Sequence, residues 1–330
     1  MDDGDTRNID DRSPHLVDDL VLPFQTEHSR VLGRLVRMGP MVDAVLARHD
    51  YALPVSETLG QALALTAMLG TTLKFEGRLI LQTSSDGPLR LVVVNFETPG
   101  RMRGYAGHDA NRLAAMLAGG ARVSQGELIG HGHLAMTIDP GGDMERYQGI
   151  VPLDGGSLGT AALTYFRQSE QLPTYLRLAV ARHFVPGPKG EPAAWRWRAG
   201  GLLVQHLPGE GGTPRPPAQT EADEQRLHGE DDDAWNRVRI LAASVEDHEL
   251  LDPTLSPESL LFRLFHEEGV RVFPARPLSE FCRCSRDRVL TFLKSFGAKE
   301  LEDMCEPDGM IGVTCEFCST RYRFAPQEIE

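Results

Sequence analysis

The segments Cys282-Arg-Cys284 and Cys315-Glu-Phe-Cys318, near the C-terminus, hold four of the five cysteines of the chain. Two close pairs separated by a compact loop allow four thiolates to converge on one metal ion, at about 2.3 Å each for Zn²⁺. The short turn within each pair keeps its two sulfurs together. We therefore predict one Zn²⁺ per chain, bound by Cys282, Cys284, Cys315 and Cys318.

The length and charge of the chain limit the classes of protein to which it can belong. Its 330 residues suffice for one large core, a smaller module and a connector. The formal net charge is -13, with acidic clusters in residues 1–19 and 221–233. An acidic chain without a dense lysine and arginine face is a poor candidate for binding nucleic acid through its phosphates. We expect no nucleic-acid partner.

The N-terminal residues bear on the cellular compartment. Residues 1–11 are acidic, whereas a secretory signal begins with basic residues and continues into an apolar stretch. No apolar run of the sequence approaches the length of a membrane span. We therefore expect a cytoplasmic protein without a membrane partner. In a reducing cytoplasm, close cysteine pairs are typically metal ligands or redox-active thiols rather than permanent disulfides.

Helix-like and strand-like patterns alternate between Leu20 and Gln205, which predicts an α+β domain with a mixed sheet and helices. The clearest helix is predicted to begin at Ser56, because leucines then recur at three- and four-residue steps as far as Leu73. The other apolar runs predict strands at residues 78–83, 91–94, 133–138 and 147–153 and a helix at 158–166.

A linker is predicted between this domain and the cysteines. Residues 208–233 combine proline, glycine and acidic residues with almost no apolar content, which predicts a flexible segment. Beyond them, helical spacing begins near Trp235, and Ser256 followed by Pro257 predicts the start of a second short helix. Short helices depend on packing for most of their stability. We expect the C-terminal module to support them.

Residues 281–330 form the predicted C-terminal module. Ser285 is a candidate N-cap of a helix that ends at Gly297, and Arg321–Phe324 is a candidate strand. A structural zinc can supply about 10 to 16 kcal/mol of folding free energy to so small a unit. We divide the chain into four parts: an acidic extension (1–19), an α+β core (20–207), an insert with a helical linker (208–280) and the zinc-binding module (281–330).

Zinc binding and disulfide formation exclude each other at such a site. Neighbouring sulfurs of a tetrahedral zinc centre lie about 3.8 Å apart, whereas a disulfide bond is about 2.05 Å long. Because thiolates react with oxidants, the module can act as a redox switch. The alternative is a permanent zinc staple without a regulatory role. Arg283, Arg286 and Arg321 are candidates for offsetting the charge of the centre, unless they are ordinary exposed arginines.

Several segments resemble the heat-shock protein 33 (Hsp33) family of bacterial chaperones. The cysteine-rich segment Phe281-Cys-Arg-Cys-Ser-Arg-Asp-Arg288, with Cys315-Glu-Phe-Cys318, Tyr322 and Phe324, resembles the redox-switch domain of that family. Further matches occur upstream in the family's order, at Leu73-Lys-Phe75, Tyr147-Gln-Gly-Ile-Val151, Tyr165-Phe-Arg-Gln-Ser-Glu-Gln-Leu-Pro-Thr174 and Leu264-Phe-His-Glu-Glu268. Together they extend over about nine-tenths of the chain. Several segments in one order are more specific than a cysteine spacing alone.

The resemblance implies an ATP-independent holdase, which is not an enzyme and binds unfolding client proteins. It implies that the reduced, zinc-bound form is inactive, with Cys282, Cys284, Cys315 and Cys318 as the ligands. Oxidants such as hypochlorite, or peroxide with heat, would then form the disulfides Cys282–Cys284 and Cys315–Cys318. Zinc loss, unfolding of the switch and linker, and homodimer formation would follow.

Two other functions fit the cysteine motif. A zinc-ribbon interaction module would bind its partner when reduced and zinc-loaded, and a thiol oxidoreductase would turn over a substrate disulfide. The chain departs from the family's pattern in its acidic extension, in residues 184–197 and 208–233, and at Cys305. We expect Cys305 to be a small interior residue of the module rather than a fifth redox thiol, because free cysteines are often buried.

Overall fold

The structure is a computed structural model that describes residues 18–120, 122–142, 144–186, 192–207 and 233–329. The predicted acidic extension and flexible insert therefore lie almost entirely outside the described residues. The described chain consists of an α+β body with two large β-sheets, short helices packed on the outside of that body, and a small C-terminal module. The predicted α+β class is confirmed.

The first sheet is antiparallel throughout. Its strands are β1 (Leu20–Thr26), β2 (Val31–Met38), β8 (Thr174–Val185), β9 (Ala194–His206), β10 (Val270–Val272) and β11 (Arg276–Pro277). The strand order is β10-β1-β2-β9-β8, and β11 also pairs with β1. Val21 and Val36 belong to one apolar cluster, and Leu22 and Leu35 belong to another. Both faces of the sheet are therefore covered.

The second sheet is mixed. Its strands are β3 (Arg78–Ser85), β4 (Leu89–Glu97), β5 (Arg101–His108), β6 (Gly132–Asp139), β7 (Tyr147–Pro152) and β12 (Ser279–Glu280). The order is β12-β5-β4-β3-β6-β7, and only β12 runs parallel to its neighbour. The predicted hairpin and the two later strands of the core are confirmed. The parallel strand comes from the segment just before the cysteines, so that segment is anchored on the body.

One helix, Leu53–Gly70, fills the space between the sheets. The helices of the body are α1 (Pro40–Leu46), α2 (Leu53–Gly70), α3 (Ala110–Ala118), α4 (Gln125–Ile129) and α5 (Leu158–Tyr165), and a π-helical turn (Phe166–Glu170) follows the last. Helix α2 is buried on nearly all sides, as expected of a helix that is apolar all round. The prediction that it begins at Ser56 is wrong. Pro54 favours the first helical turn, and Ser56 is a buried residue within the helix.

The linker forms three helices on the outer face of the first sheet. They are α6 (Asp233–Ala243), α7 (Asp247–Leu251) and α8 (Pro257–Phe265), and a 3₁₀ turn (His266–Glu268) follows. The predicted cap is confirmed, because the Ser256 hydroxyl accepts the N–H of Ser259 at 3.1 Å. The apolar contact between helices and sheet, here called the linker cluster, includes Leu20, Leu22, Phe24, Leu35, Leu202, Val204, Trp235, Val238, Leu250, Leu260, Leu261 and Phe265.

The prediction that the C-terminal module supports these helices is wrong. The linker cluster contains residues of the first sheet and none of the module. Phe24 is central to it, since its ring stacks on that of Phe265 with centroids 5.4 Å apart. The same ring covers Gly33 on the next strand, where a Cβ atom would come within 2.0 Å of ring carbon. Glycine is therefore needed at position 33 for this close approach.

Two buried arginines of the first sheet donate hydrogen bonds to backbone carbonyls of the linker. Arg37 is fully buried, and its guanidinium donates to the backbone carbonyl of Glu249 at 2.9 Å and to that of Leu255. Arg198 donates to the carbonyl of Leu251 at 2.6 Å. Hydrogen bonds from an ionised donor are stronger than neutral ones. The connection between α7 and α8 is thus held by charge as well as by apolar packing.

The C-terminal module is small. It contains α9 (Arg286–Leu293), α10 (Ala298–Asp303), α11 (Pro326–Ile329), β13 (Ile311–Thr314) and β14 (Arg321–Phe324). The N-cap at Ser285 and the strand at 321–324 are confirmed. The predicted helix is shorter than expected, because Gly297 is instead the N-cap of α10. The buried apolar core consists of Leu293, Ile311, Phe324 and Ile329.

Linker docking is tested by truncating Phe265. Phe265→Ala removes the ring that stacks on Phe24, and we expect a loss of about 3 to 5 kcal/mol in the free energy of unfolding. Phe262→Ala on the same helix is the matched control, since Phe262 is 64% exposed. It should change stability by less than about 0.5 kcal/mol. Urea denaturation followed by tryptophan fluorescence measures both, and similar effects would contradict the packing described here.

Candidate metal centre

The four cysteines of the two pairs meet at one point. The first pair follows β12, and the second pair lies in the turn between β13 and β14. All four Sγ atoms lie within 4.8 Å of one another. The Sγ of Cys282 is 3.7 Å from that of Cys315, and the Sγ of Cys284 is 3.2 Å from that of Cys318. The structure thus brings together every residue predicted to be a metal ligand.

Local hydrogen bonds explain why the second pair points inward. The N–H of Cys315 donates to the carbonyl of Thr320 at 2.9 Å, and the N–H of Ser319 donates to the carbonyl of Cys315 at 2.8 Å. Ser319 has a φ of 56°, a left-handed conformation that closes the turn. The first pair lies between two fixed points, because the N–H of Phe281 donates to the carbonyl of Met102 at 2.8 Å and the hydroxyl of Ser285 caps α9. Both pairs are therefore held by ordinary backbone geometry.

The arrangement fits a tetrahedral ion. Bonds of about 2.3 Å to four sulfurs place those sulfurs about 3.8 Å apart, close to the separations of 3.2 and 3.7 Å given above. Four thiolates without an oxygen ligand favour Zn²⁺ over harder ions. Across the described residues, no other group of three or more histidine, cysteine or acidic side chains converges in this way. The donor set therefore fits the zinc ion that the sequence predicts.

The thiols differ in how readily they ionise. Burial raises the pKa of Cys284 to about 12, although the Tyr322 hydroxyl, 3.2 Å from this sulfur, acts in the opposite direction. Burial also raises the pKa of Cys315. At Cys318, burial is outweighed by hydrogen bonds with the side chain and backbone of Thr320, which lower the pKa to about 6. A bound divalent ion would oppose this effect of burial, because it stabilises the thiolate form of its cysteine ligands.

The three arginines predicted to offset the charge are otherwise engaged. Each forms an ion pair with a carboxylate instead of facing the sulfurs. The pairs are Arg283 with Glu97, Arg286 with Glu328 and Arg321 with Glu306. The cation that does approach is Arg103 of β5, whose Nη1 lies 4.0 Å from the Sγ of Cys282. No local signal in the sequence indicates this residue, because it lies far from the cysteines along the chain.

The module docks on the outward-facing residues of β5. We call Arg101, Arg103 and Tyr105 the β5 ladder. The guanidinium carbon of Arg101 lies 4.4 Å from the centroid of the Phe281 ring, and that of Arg103 lies 4.0 Å from the centroid of Phe317. The ring of Tyr105 is 6.2 Å from that of Phe317, between centroids. Each cysteine pair is therefore adjacent to an aromatic residue whose ring packs on β5 of the body.

Polar contacts complete the interface. The hydroxyl of Ser319 donates to the carbonyl of Arg48 at 3.0 Å, and the Nε of Arg283 donates to the Glu97 carboxylate at 3.0 Å. Burial and the adjacent Glu316 carboxylate raise the pKa of Tyr105. Burial also lowers the pKa of His49, whose Nε2 is enclosed without a hydrogen-bond partner in the described structure. The interface thus encloses polar groups of the body as well as aromatic rings.

Cys305 lies outside the cluster, and the prediction that it is an interior residue is wrong. It is exposed, and its thiol donates to the carbonyl of Leu301 at 3.4 Å. The tendency of free cysteines to be buried fails here because the module has room for very few buried side chains. Its position next to β13, opposite Ile311, leaves the sulfur accessible to solvent.

These observations define a protein with a two-sheet α+β body, a helical linker and a module whose four cysteines are arranged as in a metal site. Comparison with known proteins identifies the family. A sequence model of the Hsp33 protein family matches residues 19–325. The chain belongs to the Hsp33 family of chaperones. Among the described helices, none has both the length and the apolar character needed to cross a membrane.

Individual relatives agree with this assignment. The chain is 46% identical to a 33 kDa chaperonin of Caulobacter vibrioides over 94% of this chain and 96% of that protein. It is 38% identical to a 33 kDa chaperonin of Nitrosococcus oceani over 93% and 91%. The crystal structure of a 33 kDa chaperonin from Thermotoga maritima, 24% identical, has the same fold, with a TM-score of 0.67 over 94% of this chain and 96% of that one.

The ligand assignment is tested by replacing the second cysteine pair. A variant with Cys315→Ser and Cys318→Ser loses two of four donors, so we expect it to bind no zinc and to leave the module unfolded. Cys305→Ser is the matched control and should retain one zinc per chain, because Cys305 is outside the cluster. Zinc is measured with a chelator dye after denaturation of the reduced protein. Unchanged zinc in the double variant would refute the assignment.

Docking on the β5 ladder is tested by truncating Phe317. Phe317→Ala keeps all four cysteines but removes the ring on Arg103, which should weaken docking by about 1 to 2 kcal/mol. Hydrogen exchange of the β5 amides should quicken while zinc content stays unchanged. The control is Phe292→Ala in the same module, since Phe292 is exposed and its ring contacts that of Phe296. Equal exchange in both variants would argue against this docking.

Proposed function

We propose that the chain is a redox-regulated, ATP-independent holdase that is inactive when reduced and zinc-bound. The observation that carries this proposal is the convergence of Cys282, Cys284, Cys315 and Cys318 in a module with a very small core. A unit with so little buried apolar surface depends on its metal for folding. Membership in a chaperone family supports the binding of unfolded client proteins.

The proposed trigger is the oxidation of each cysteine pair. Cys282 and Cys284 give two electrons to one molecule of hypochlorite or peroxide and form a disulfide. Cys315 and Cys318 form a second disulfide with a second molecule, and each oxidant is reduced to chloride and water or to water alone. The sulfurs of a pair must then approach to about 2.05 Å, a separation incompatible with shared coordination of one ion. Oxidation therefore releases zinc, and the module loses the interaction that keeps it folded.

The unfolded module no longer holds the strands that precede it. In the reduced state the N–H of Phe281 donates to the carbonyl of Met102 at 2.8 Å, next to the parallel pairing of β12 with β5. β10 and β11 continue this connection along β1 and lead directly to the end of α8. Release of this segment removes one end of the linker from the body. Heat or other destabilisation then breaks the remaining contacts and exposes the linker cluster, and large apolar surfaces bind unfolded proteins.

The remaining features of the proposal concern assembly and location. We propose that the oxidised chain forms a homodimer and that it acts in the cytoplasm, without a nucleic-acid or membrane partner. The four parts proposed are residues 1–19, 20–207, 208–280 and 281–330. The short strands β10 to β12 belong to the third part but pair with the core. This pairing supports a linker that is docked until the module unfolds.

The function is tested by light scattering of a client protein during thermal unfolding. Protein treated with peroxide at elevated temperature should suppress scattering, whereas reduced, zinc-loaded protein should not. A chelator dye should report release of about one zinc per chain during oxidation. Mass spectrometry of proteolytic fragments should find the disulfides Cys282–Cys284 and Cys315–Cys318.

Other outcomes separate the alternative functions. Suppression by the reduced form alone would favour a zinc-ribbon interaction module. Catalytic turnover of a substrate disulfide would favour a thiol oxidoreductase. Zinc retention in an oxidised and active sample would contradict the proposed switch, because four sulfurs paired in two disulfides cannot coordinate the ion.

A further inference from the structure

The β5 strand has an edge that the module only partly occupies. β5 pairs with β4 along its length, and on the opposite side it pairs with Ser279 and Glu280 of β12. On that side the carbonyl of Met102 also accepts the N–H of Phe281 at 2.8 Å, and the N–H of Ala106 donates to the Tyr51 hydroxyl at 3.1 Å. Between Met102 and Ala106 the edge therefore has no neighbouring strand in the described structure. A strand edge presents backbone N–H and C=O groups that can pair with another extended segment. This edge would lengthen if β12 were released together with the module.

The side chains of β5 add a pattern of aromatic recognition to this edge. Arg101, Arg103 and Tyr105 alternate with the buried residues Met102, Gly104 and Ala106, so the ladder lies on one face. The guanidinium of Arg101 lies over the ring of Phe281, and that of Arg103 lies over the ring of Phe317. Residues two apart on a strand are separated by about 6.6 Å along its axis and point the same way. Two aromatic side chains two residues apart on an added strand would match both arginines.

We propose that the β5 ladder is a client-binding site for extended segments with aromatic residues at positions i and i+2. The module occupies this site with its own Phe281 and Phe317 when it is docked, and vacates it when the cysteines are oxidised. The client segment adds to the edge of β5, in the direction that β12 already uses, and places its rings on Arg101 and Arg103. This inference rests on the proposed function and specifies what the active form recognises.

The chemistry of unfolding clients suits this site. Alternating residues of a β-strand point to one face, and aromatic residues are enriched in strands. A client strand that is half-buried when native presents its apolar residues, aromatic ones among them, at alternate positions, and unfolding exposes them in an extended chain. Addition of such a strand to an exposed edge supplies backbone hydrogen bonds, while pockets or cations at alternate positions supply selectivity. Native clients do not offer this pattern, because their strands are already paired.

The test uses the oxidised full-length chain and short fluorescent peptides. One peptide contains two phenylalanines separated by one residue, and its matched control has the same composition with the two phenylalanines adjacent. In the control, the rings point to opposite faces of an added strand. We expect the separated pair to bind about 2- to 5-fold more tightly by fluorescence anisotropy, the effect of one cation–π contact. The reduced, zinc-loaded chain should bind both peptides more weakly.

Variants of β5 make the assignment residue-specific. Arg103→Gln should weaken binding of the separated-pair peptide by about 2- to 5-fold, and Arg101→Gln provides a second variant with the same expectation. Arg112→Gln is the control, because Arg112 is exposed on α3 and donates to the carbonyl of Asp86. It should leave peptide binding unchanged.

The results separate this inference from the proposed function. Equal affinity for the two peptides, or unchanged binding in both β5 variants, would overturn the β5 site even if the oxidised chain suppresses client aggregation. Failure to suppress aggregation would instead contradict the proposed function, while the peptide measurements would still decide whether β5 binds alternating aromatic residues.

Discussion

The close approach of four cysteine sulfurs in a module with almost no core governs how that module folds and how it docks on the body. Burial raises the pKa of Cys284 and of Cys315 and so opposes their ionisation. A divalent cation reverses this by attracting four thiolates at once. The buried apolar residues Leu293, Ile311, Phe324 and Ile329 surround very little volume. We therefore propose that a metal ion bound by these cysteines, rather than the apolar core, is the main source of stability in this module.

The structure separates two kinds of attachment to the body. The module rests on β5 through two aromatic rings on arginines and a few polar contacts. The linker helices rest on the opposite sheet through a large apolar cluster and the buried guanidinium of Arg37. The first attachment depends on the cysteines, because Phe281 and Phe317 lie within or next to the pairs. The second does not include any residue of the module, so its stability is set by the body.

The sequence reveals local features well and distant contacts poorly. The caps at Ser256 and Ser285 were predictable because an N-cap depends on the residues of one helical turn. The start of α2 was not predictable in this way, because serine is a residue type favoured at N-caps but Ser56 is buried inside the helix. The four-cysteine cluster follows from spacing alone. By contrast, the packing of Phe317 on Arg103 depends on which strand lies at the edge of the second sheet, and no local pattern encodes that position.

Docking of the linker helices on the body rather than on the module determines how the proposed switch works. If the module supported α6 to α8 directly, its unfolding alone would release them. Instead, Phe265 stays stacked on Phe24, and Arg37 stays bonded to the linker carbonyls, until those contacts are broken separately. Loss of β12 frees only the end of the linker that leads to the module. Because unfolding of the linker cluster is favoured by heat, the proposed activation combines two inputs: oxidation unfolds the module, and thermal or other destabilisation then frees the linker. A holdase built this way exposes its apolar surface under conditions that also unfold its clients.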